Sequence, residues 1–222
     1  MLENGVIFEN ENDQYRLRIE QDEYPDNPRE WDNLSTMVCW HRRYGLGDKH
    51  NYKTPEDFYF SLAEELVGDT DKVNEMSSEE IEALVLTSKE LVIMPLYLLD
   101  HSGLTISTSC IMFSAVDSAG WDWGQVGWAY ITMDKMREEF GDISDEELRE
   151  QAEEIIEDEV EIYNDYLNGN VYSFILERKA ECDKCGHVEY EVVDACGGFY
   201  GSDYEEQIRD VLGPEYRELL PA

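Results

Sequence analysis

Positive charge is scarce in this chain. Lys and Arg number 17 against 52 Asp and Glu in 222 residues, a formal net charge of −35. A protein that binds nucleic acid directly needs a basic face, and too few cations are present to build one. A protein held on anionic lipid needs Lys/Arg clusters, which are also missing. Long apolar runs are lacking too. The longest, residues 91–99 (LVIMPLYLL), falls well short of the roughly 20 residues of a membrane span. Residues 1–14 are acidic and hold no apolar core of a signal peptide, so a soluble, cytoplasmic protein is expected. The five cysteines, Cys39, Cys110, Cys182, Cys185 and Cys196, are odd in number and irregular in spacing. Reduced thiols are expected rather than a disulfide framework. No GxSxG, P-loop, HExxH or Rossmann glycine pattern occurs, and no enzyme is expected. With only 6 Pro and 15 Gly, a collagen-like or low-complexity chain is excluded.

What is present argues for a folded protein. Hydrophobic residues make up 42% of the chain and aromatics 12%, whereas acidic disordered chains are poor in aromatics. Alternation at Tyr15, Leu17 and Ile19 predicts a strand, and strands are also predicted over 36–41, 91–99, 105–113 and 126–131. Thr54-Pro55 followed by Asp57 opens a helix, and Ser77 with Glu80 forms a capping box for another. Helices are predicted at 133–140 and 144–167, a β-hairpin over 171–178 and 187–193, and a short helix from about 202. The order lacks regular βαβ alternation. The expectation is a single α+β domain with a mixed, mainly antiparallel sheet, several helices and one weak boundary near 68–77.

The helix over about 144–167 is the strongest local feature. Ser144 and Glu147 form its capping box and Asn168-Gly169 its stop. Leu148, Ala152, Ile155, Ile156, Val160, Tyr163 and Leu167 recur three or four apart, one face turned to a core. The remaining faces carry Asp145, Glu146, Glu147, Glu150, Glu153, Glu154, Glu157, Asp158, Glu159, Glu161 and Asp165, with Arg149 the one base among them. Over a helix of about 36 Å this is roughly one negative charge per 3.3 Å. One strand of DNA carries one per about 3.4 Å. The excess is global, at −14 in residues 1–111 and −21 in residues 112–222, and such self-repulsion works against a compact state.

In charge and size the whole chain resembles the DNA-mimic antirestriction and anti-CRISPR proteins of phages and mobile elements. The stretches WDWGQVGWAYIT, YLNGNVYSF and DACGGFYG resemble a family found in phage genomes, one that brings no chemistry with it. The resemblance implies an inhibitor of a nucleic-acid-binding host-defence enzyme, with a nuclease or a restriction or CRISPR effector as protein partner and host cytoplasm as its location. The contact residues expected on this reading are Glu146, Glu150, Glu153, Glu154, Glu157, Asp158, Glu161 and Asp165. Halophilic adaptation is the competing explanation of the charge. Pairing of two acidic helices through their apolar faces leaves a homodimer open.

Three further constellations stand out. Cys182-Asp183-Lys184-Cys185-Gly186 between two predicted strands has the form of a zinc knuckle, with His187 and Cys196 as further ligands. A structural zinc and an interaction module follow as the alternative reading. Cys39 and His41 lie on one face of a predicted strand and pair a nucleophile with a base. Trp121, Trp123 and Trp128, with Tyr130, are expected to complete the core. If exposed, they become the hot spot of a protein interface.

Overall fold

The computed structural model describes residues 5–141, 143–181 and 184–221. In chain order the elements are β1 (Val6–Glu11), β2 (Tyr15–Gln21), β3 (Thr36–Cys39), α1 (Pro55–Val67), α2 (Thr70–Asn74), α3 (Ser78–Thr87), β4 (Leu91–Asp100) and β5 (Leu104–Ser107). They continue with α4 (Ile111–Val116), β6 (Trp123–Thr132), α5 (Met133–Phe140), α6 (Asp145–Asn168), β7 (Val171–Glu181), β8 (Val188–Tyr200) and α7 (Tyr204–Val211). Short 3-10 turns cover Pro28–Glu30 and Pro214–Leu219. The fold is α+β with two antiparallel sheets, as the mix of capped helices and alternating strands requires.

The chain divides into two compact units, one of residues 1–27 with 165–222 and one of residues 28–164. The boundary expected near 68–77 is not where this division falls. Those residues hold α2, whose cap Asp69 accepts from the Lys72 amide at 3.3 Å and whose Val73 is buried in the core beneath α1 and α3. The division instead places the middle of the sequence as an insertion in the unit built by its two ends.

The first unit is a four-stranded sheet in the order β1-β2-β7-β8. Leu17, Ile19, Phe174 and Leu176 alternate along β2 and β7 and point into one core with Phe199, Ile208, Leu212, Leu219 and Leu220. The opposite face is an ionic ladder. Arg16 donates to Glu177 at 2.7 Å and lies over the Tyr190 ring, 3.5 Å from its centroid, while Tyr190 donates to Glu11 at 2.8 Å.

The second unit holds a sheet in the order β3-β6-β4-β5. One core, of Val38, Phe58, Leu62, Ala63, Val85 and Leu91 among others, binds α1 and α3 to the sheet. Gly127 is required where β3 pairs with β6. A Cβ there would stand 2.0 Å from the Val38 carbonyl oxygen, inside any possible contact. Residues 105–113, expected as one strand, split into β5 and the helix α4. Ile106 is buried on the strand side, whereas Ile111 and Met112 turn outward and Phe113 alone of α4 is buried. A short apolar run carries no period that separates the two outcomes.

Candidate functional site

The long helix α6 begins where its cap places it. Ser144 and Glu147 bond reciprocally: the Glu147 amide donates to Ser144 Oγ at 3.3 Å, and the Ser144 amide donates to the Glu147 carboxylate at 3.2 Å. The Ser144 hydroxyl, donating to the same carboxylate at 2.8 Å, and then the Ser144 amide hold the Glu147 carboxyl below its ordinary range. Leu148, Ala152, Ile156, Val160 and Tyr163 form a fully buried stripe. That stripe is used up within the chain, so it does not offer a face through which two copies would pair. Arg149 donates to the carbonyls of Lys89 and Leu91 at 3.2 and 3.3 Å, and Asn164 accepts from the Ile106 amide at 3.0 Å. The helix is thereby fastened to the sheet of its unit by β4 and β5.

Seven of the eight acids expected to meet a partner are exposed: Glu146, Glu150, Glu153, Glu154, Glu157, Asp158 and Glu161. At about 100° per residue they fall on one arc of about 140°, away from the buried stripe. From Glu146 to Glu161 the helix rises about 22 Å, so the array carries one charge per roughly 3 Å. Among the described residues no Lys or Arg forms an ion pair with any of the seven. Arg149, the one base within the helix, is turned to backbone carbonyls and does not neutralise them.

Two acids of the helix differ from the expectation. Asp165 is half-buried in the first unit, where it bonds to the Asn170 amide group at 3.2 Å. Burial raises its pKa, with the Asp203 charge adding to the effect against the Asn170 bond. It is a local anchor rather than part of the exposed array. Glu159 faces inward. It accepts from Arg29 Nη1 at 2.9 Å, from the Leu34 amide at 2.9 Å, and from the Ser35 amide and hydroxyl. The Arg29 side chain is only 2% exposed, and it also forks onto Asp48, with Nε and Nη2 each at 2.9 Å. Burial opposes the Arg29 charge, but the bonds and charges of Asp48 and Glu159 prevail and raise its pKa. This anchor escaped the sequence reading, because nothing in the chain links Arg29 to a glutamate 130 positions away.

The tryptophans separate. Trp128 is half-buried edge-on to Tyr59, with ring centroids 6.1 Å apart. Trp123 is half-buried and donates its indole N–H to the Asp117 carbonyl at 2.8 Å. Trp121 does not complete the core: it is 87% exposed. In the same stretch Ile111 and Met112 of α4 are 76% and 77% exposed.

The cysteine hairpin lies partly outside the described residues, since Cys182 and Asp183 are not among them. Cys185 and His187 are exposed near the hairpin tip, and His187 stands 3.9 Å from Glu189. Cys196 is not brought to them. It pairs with Phe174, seven ladder positions from the Glu181–Val188 pair, or about 23 Å along the strands, so one zinc ion cannot take both ends. Among the described residues no cluster of His, Cys, Asp and Glu is arranged to hold a metal. Cys39 and His41 are likewise apart in environment. Cys39 is buried and its thiol is pushed up to about 12, first by burial and then by the Asp48 charge. His41 stacks on Tyr44, and its Nδ1 accepts from the Arg43 and Tyr44 amides at 3.4 and 3.3 Å. Among the described residues no hydrogen bond joins a base to this thiol.

Compared with family models, with curated proteins and with solved structures, the chain has no match. Among the described residues no helix is long and apolar enough to cross a membrane.

Proposed function

We propose that the chain is an acidic DNA mimic that blocks a nucleic-acid-binding enzyme of a host defence system by occupying its basic channel. The partner on this reading is a basic protein such as a nuclease or a restriction or CRISPR effector, met in the host cytoplasm. Neither nucleic acid nor membrane is bound directly, and no cofactor takes part. One observation carries the reading: seven exposed carboxylates of α6, without cationic partners among the described residues, lie on one arc at a spacing close to that of phosphates. Such an array displaces counterions from a basic channel as DNA does, so association is fast and strongly salt-dependent. Trp121, 87% exposed, supplies the kind of aromatic anchor that electrostatic encounters need to become stable complexes.

The test begins with capture from host lysate at about 0.1 M salt, where the screening length is about 10 Å and clustered charges still act together. A nucleic-acid-cleaving or nucleic-acid-binding enzyme should elute late in a salt gradient and be displaced by added DNA. Its activity should then be titrated with the chain and with the triple variant Glu150→Lys, Glu153→Lys, Glu157→Lys. Loss of inhibition by about a hundredfold or more is expected. Undiminished inhibition by the variant, or capture indifferent to salt and DNA, would overturn the reading.

A further inference from the structure

The second unit carries a cleft that the α6 reading does not use. It has a volume of about 600 Å3 and opens between the first turns of α1 and α3 and the middle of β6. That volume lies in the range of pockets that enclose small ligands or single side chains. Its walls are aromatic, from Trp40, Tyr59, Phe60 and Trp128. Trp40 is fixed by its indole N–H, which donates to the Tyr52 carbonyl at 3.1 Å, and Tyr59 meets Trp128 edge-on. The exposed carboxylates Glu56, Glu79 and Glu82 line the same space. They are distinct from Asp57, which is committed to capping α1 by accepting the Lys53 and Thr54 amides at 3.0 and 3.1 Å; of the three, Glu82 also lies within bonding reach of the Tyr59 hydroxyl. No Lys or Arg lines the cleft, and among the described residues none pairs with these three glutamates.

Half-buried indole rings with carboxylates beside them, and no cation of their own, are complementary to one ligand chemistry. A flat, weakly hydrated cation can lie on the rings and take a carboxylate at its edge. A guanidinium does both, whereas an ammonium is compact and strongly hydrated. The chain already uses this combination inside its first unit, where Arg16 lies over Tyr190 while donating to Glu177. We infer that the cleft is a receptor for an arginine side chain presented on the surface of a partner protein. The inference stands apart from the α6 reading, because it concerns other residues and a single side chain rather than a phosphate-like array.

The probe is a short neutral-capped peptide with one central arginine, titrated against the whole chain and read by tryptophan fluorescence and calorimetry. Its partners are the same peptide with citrulline, which keeps the shape and loses the charge, and with lysine. Saturable binding in the millimolar range is expected for arginine, at least tenfold weaker for citrulline and clearly weaker for lysine. The double variant Glu79→Gln, Glu82→Gln changes two exposed helix positions and should weaken the arginine peptide about tenfold with an unchanged circular dichroism spectrum. The α6 triple variant should bind the peptide as the parent does, which separates failure here from failure of the mimicry reading. Equal binding of arginine and citrulline or lysine peptides, binding that survives the double variant, or no saturation below about 20 mM overturns the inference.

Discussion

Arg29 sits where a charge is most expensive to lose. Its guanidinium is satisfied on every side: Asp48 on one edge, Glu159 on another, and the Ser35 carbonyl at 2.9 Å. Removing it strands two mostly buried carboxylates without a counter-charge. Arg29→Met should therefore destabilise the second unit by about 3–5 kcal/mol, read from urea denaturation. The double variant with Glu159→Gln should recover part of that loss, since one stranded charge is gone. Cys39 supplies a second residue-scale prediction. With its thiol pushed up to about 12, only about one part in ten thousand is thiolate at pH 8, and the group is buried besides. Iodoacetamide at pH 8 should leave Cys39 unmodified in the native chain and alkylate it after unfolding, as peptide mass spectrometry would show. Rapid native modification would mean that the thiol is neither buried nor protonated. At this scale the sequence was partly readable. On a helical wheel Glu159 falls between Leu148 and Ala152, inside the buried stripe, although the expectation counted it with the acids of the remaining faces. Its partner is not marked at all, because contacts across 130 positions leave no local trace.

Helix starts are the elements that local chemistry specifies best. Thr54, Ser77 and Ser144 each cap the helix their spacing announces, through reciprocal bonds with Asp57, Glu80 and Glu147. Glu147 also makes the start of α6 pH-sensitive in a definite sense. Its folded pKa is lowered by the Ser144 side chain and backbone, so its contribution is present above the ordinary glutamate range and is lost as pH falls through the lowered value. The protection factors of the amides of residues 144–148, exchange rates corrected for the intrinsic pH dependence, should fall on acidification, and Ser144→Ala should lower them roughly fivefold at neutral pH while abolishing most of that acid dependence. Strand pairings are less legible. Gly127 reads in the sequence as one of several glycines among tryptophans, yet only the pairing of Cys39 with Gly127 explains it. Gly127→Ala should cost at least about 2 kcal/mol and loosen β3 from β6, visible as lost protection of the Trp40 amide, which donates to the Val126 carbonyl at 2.7 Å. The split of residues 105–113 into β5 and α4 was illegible for a different reason, since apolar content without a clear period fits either element.

At the scale of the whole molecule, an insertion hides one of its boundaries. The first unit closes only when β2 pairs with β7, some 150 residues later; the chain leaves it in a loop marked by Pro25 and Pro28, but it returns within α6, where no linker composition marks the point. Charge, by contrast, is legible from composition, and its use follows from where the few cations go. Arg16, Arg29, Lys135 and Arg149 are spent on buried carboxylates or backbone carbonyls, which leaves the exposed acids of α6 and of the aromatic cleft largely uncompensated. A net charge of −35 then opposes compactness, and salt should relieve it. Between 0.1 and 1 M NaCl the screening length shrinks from about 10 to 3 Å, and the melting temperature should rise by several degrees, about 2–4 °C per kcal/mol for a chain of this size. The charge-reversed α6 variant, six units less negative, should show a shallower rise. Binding to a basic partner must move the other way, weakening over the same range as counterion release loses its advantage. Opposite salt slopes for stability and for binding are the signature of mimicry. An adaptation to high salt predicts one common direction, with stability and activity both reaching their maxima at molar salt, so a pair of titrations on one preparation decides between them.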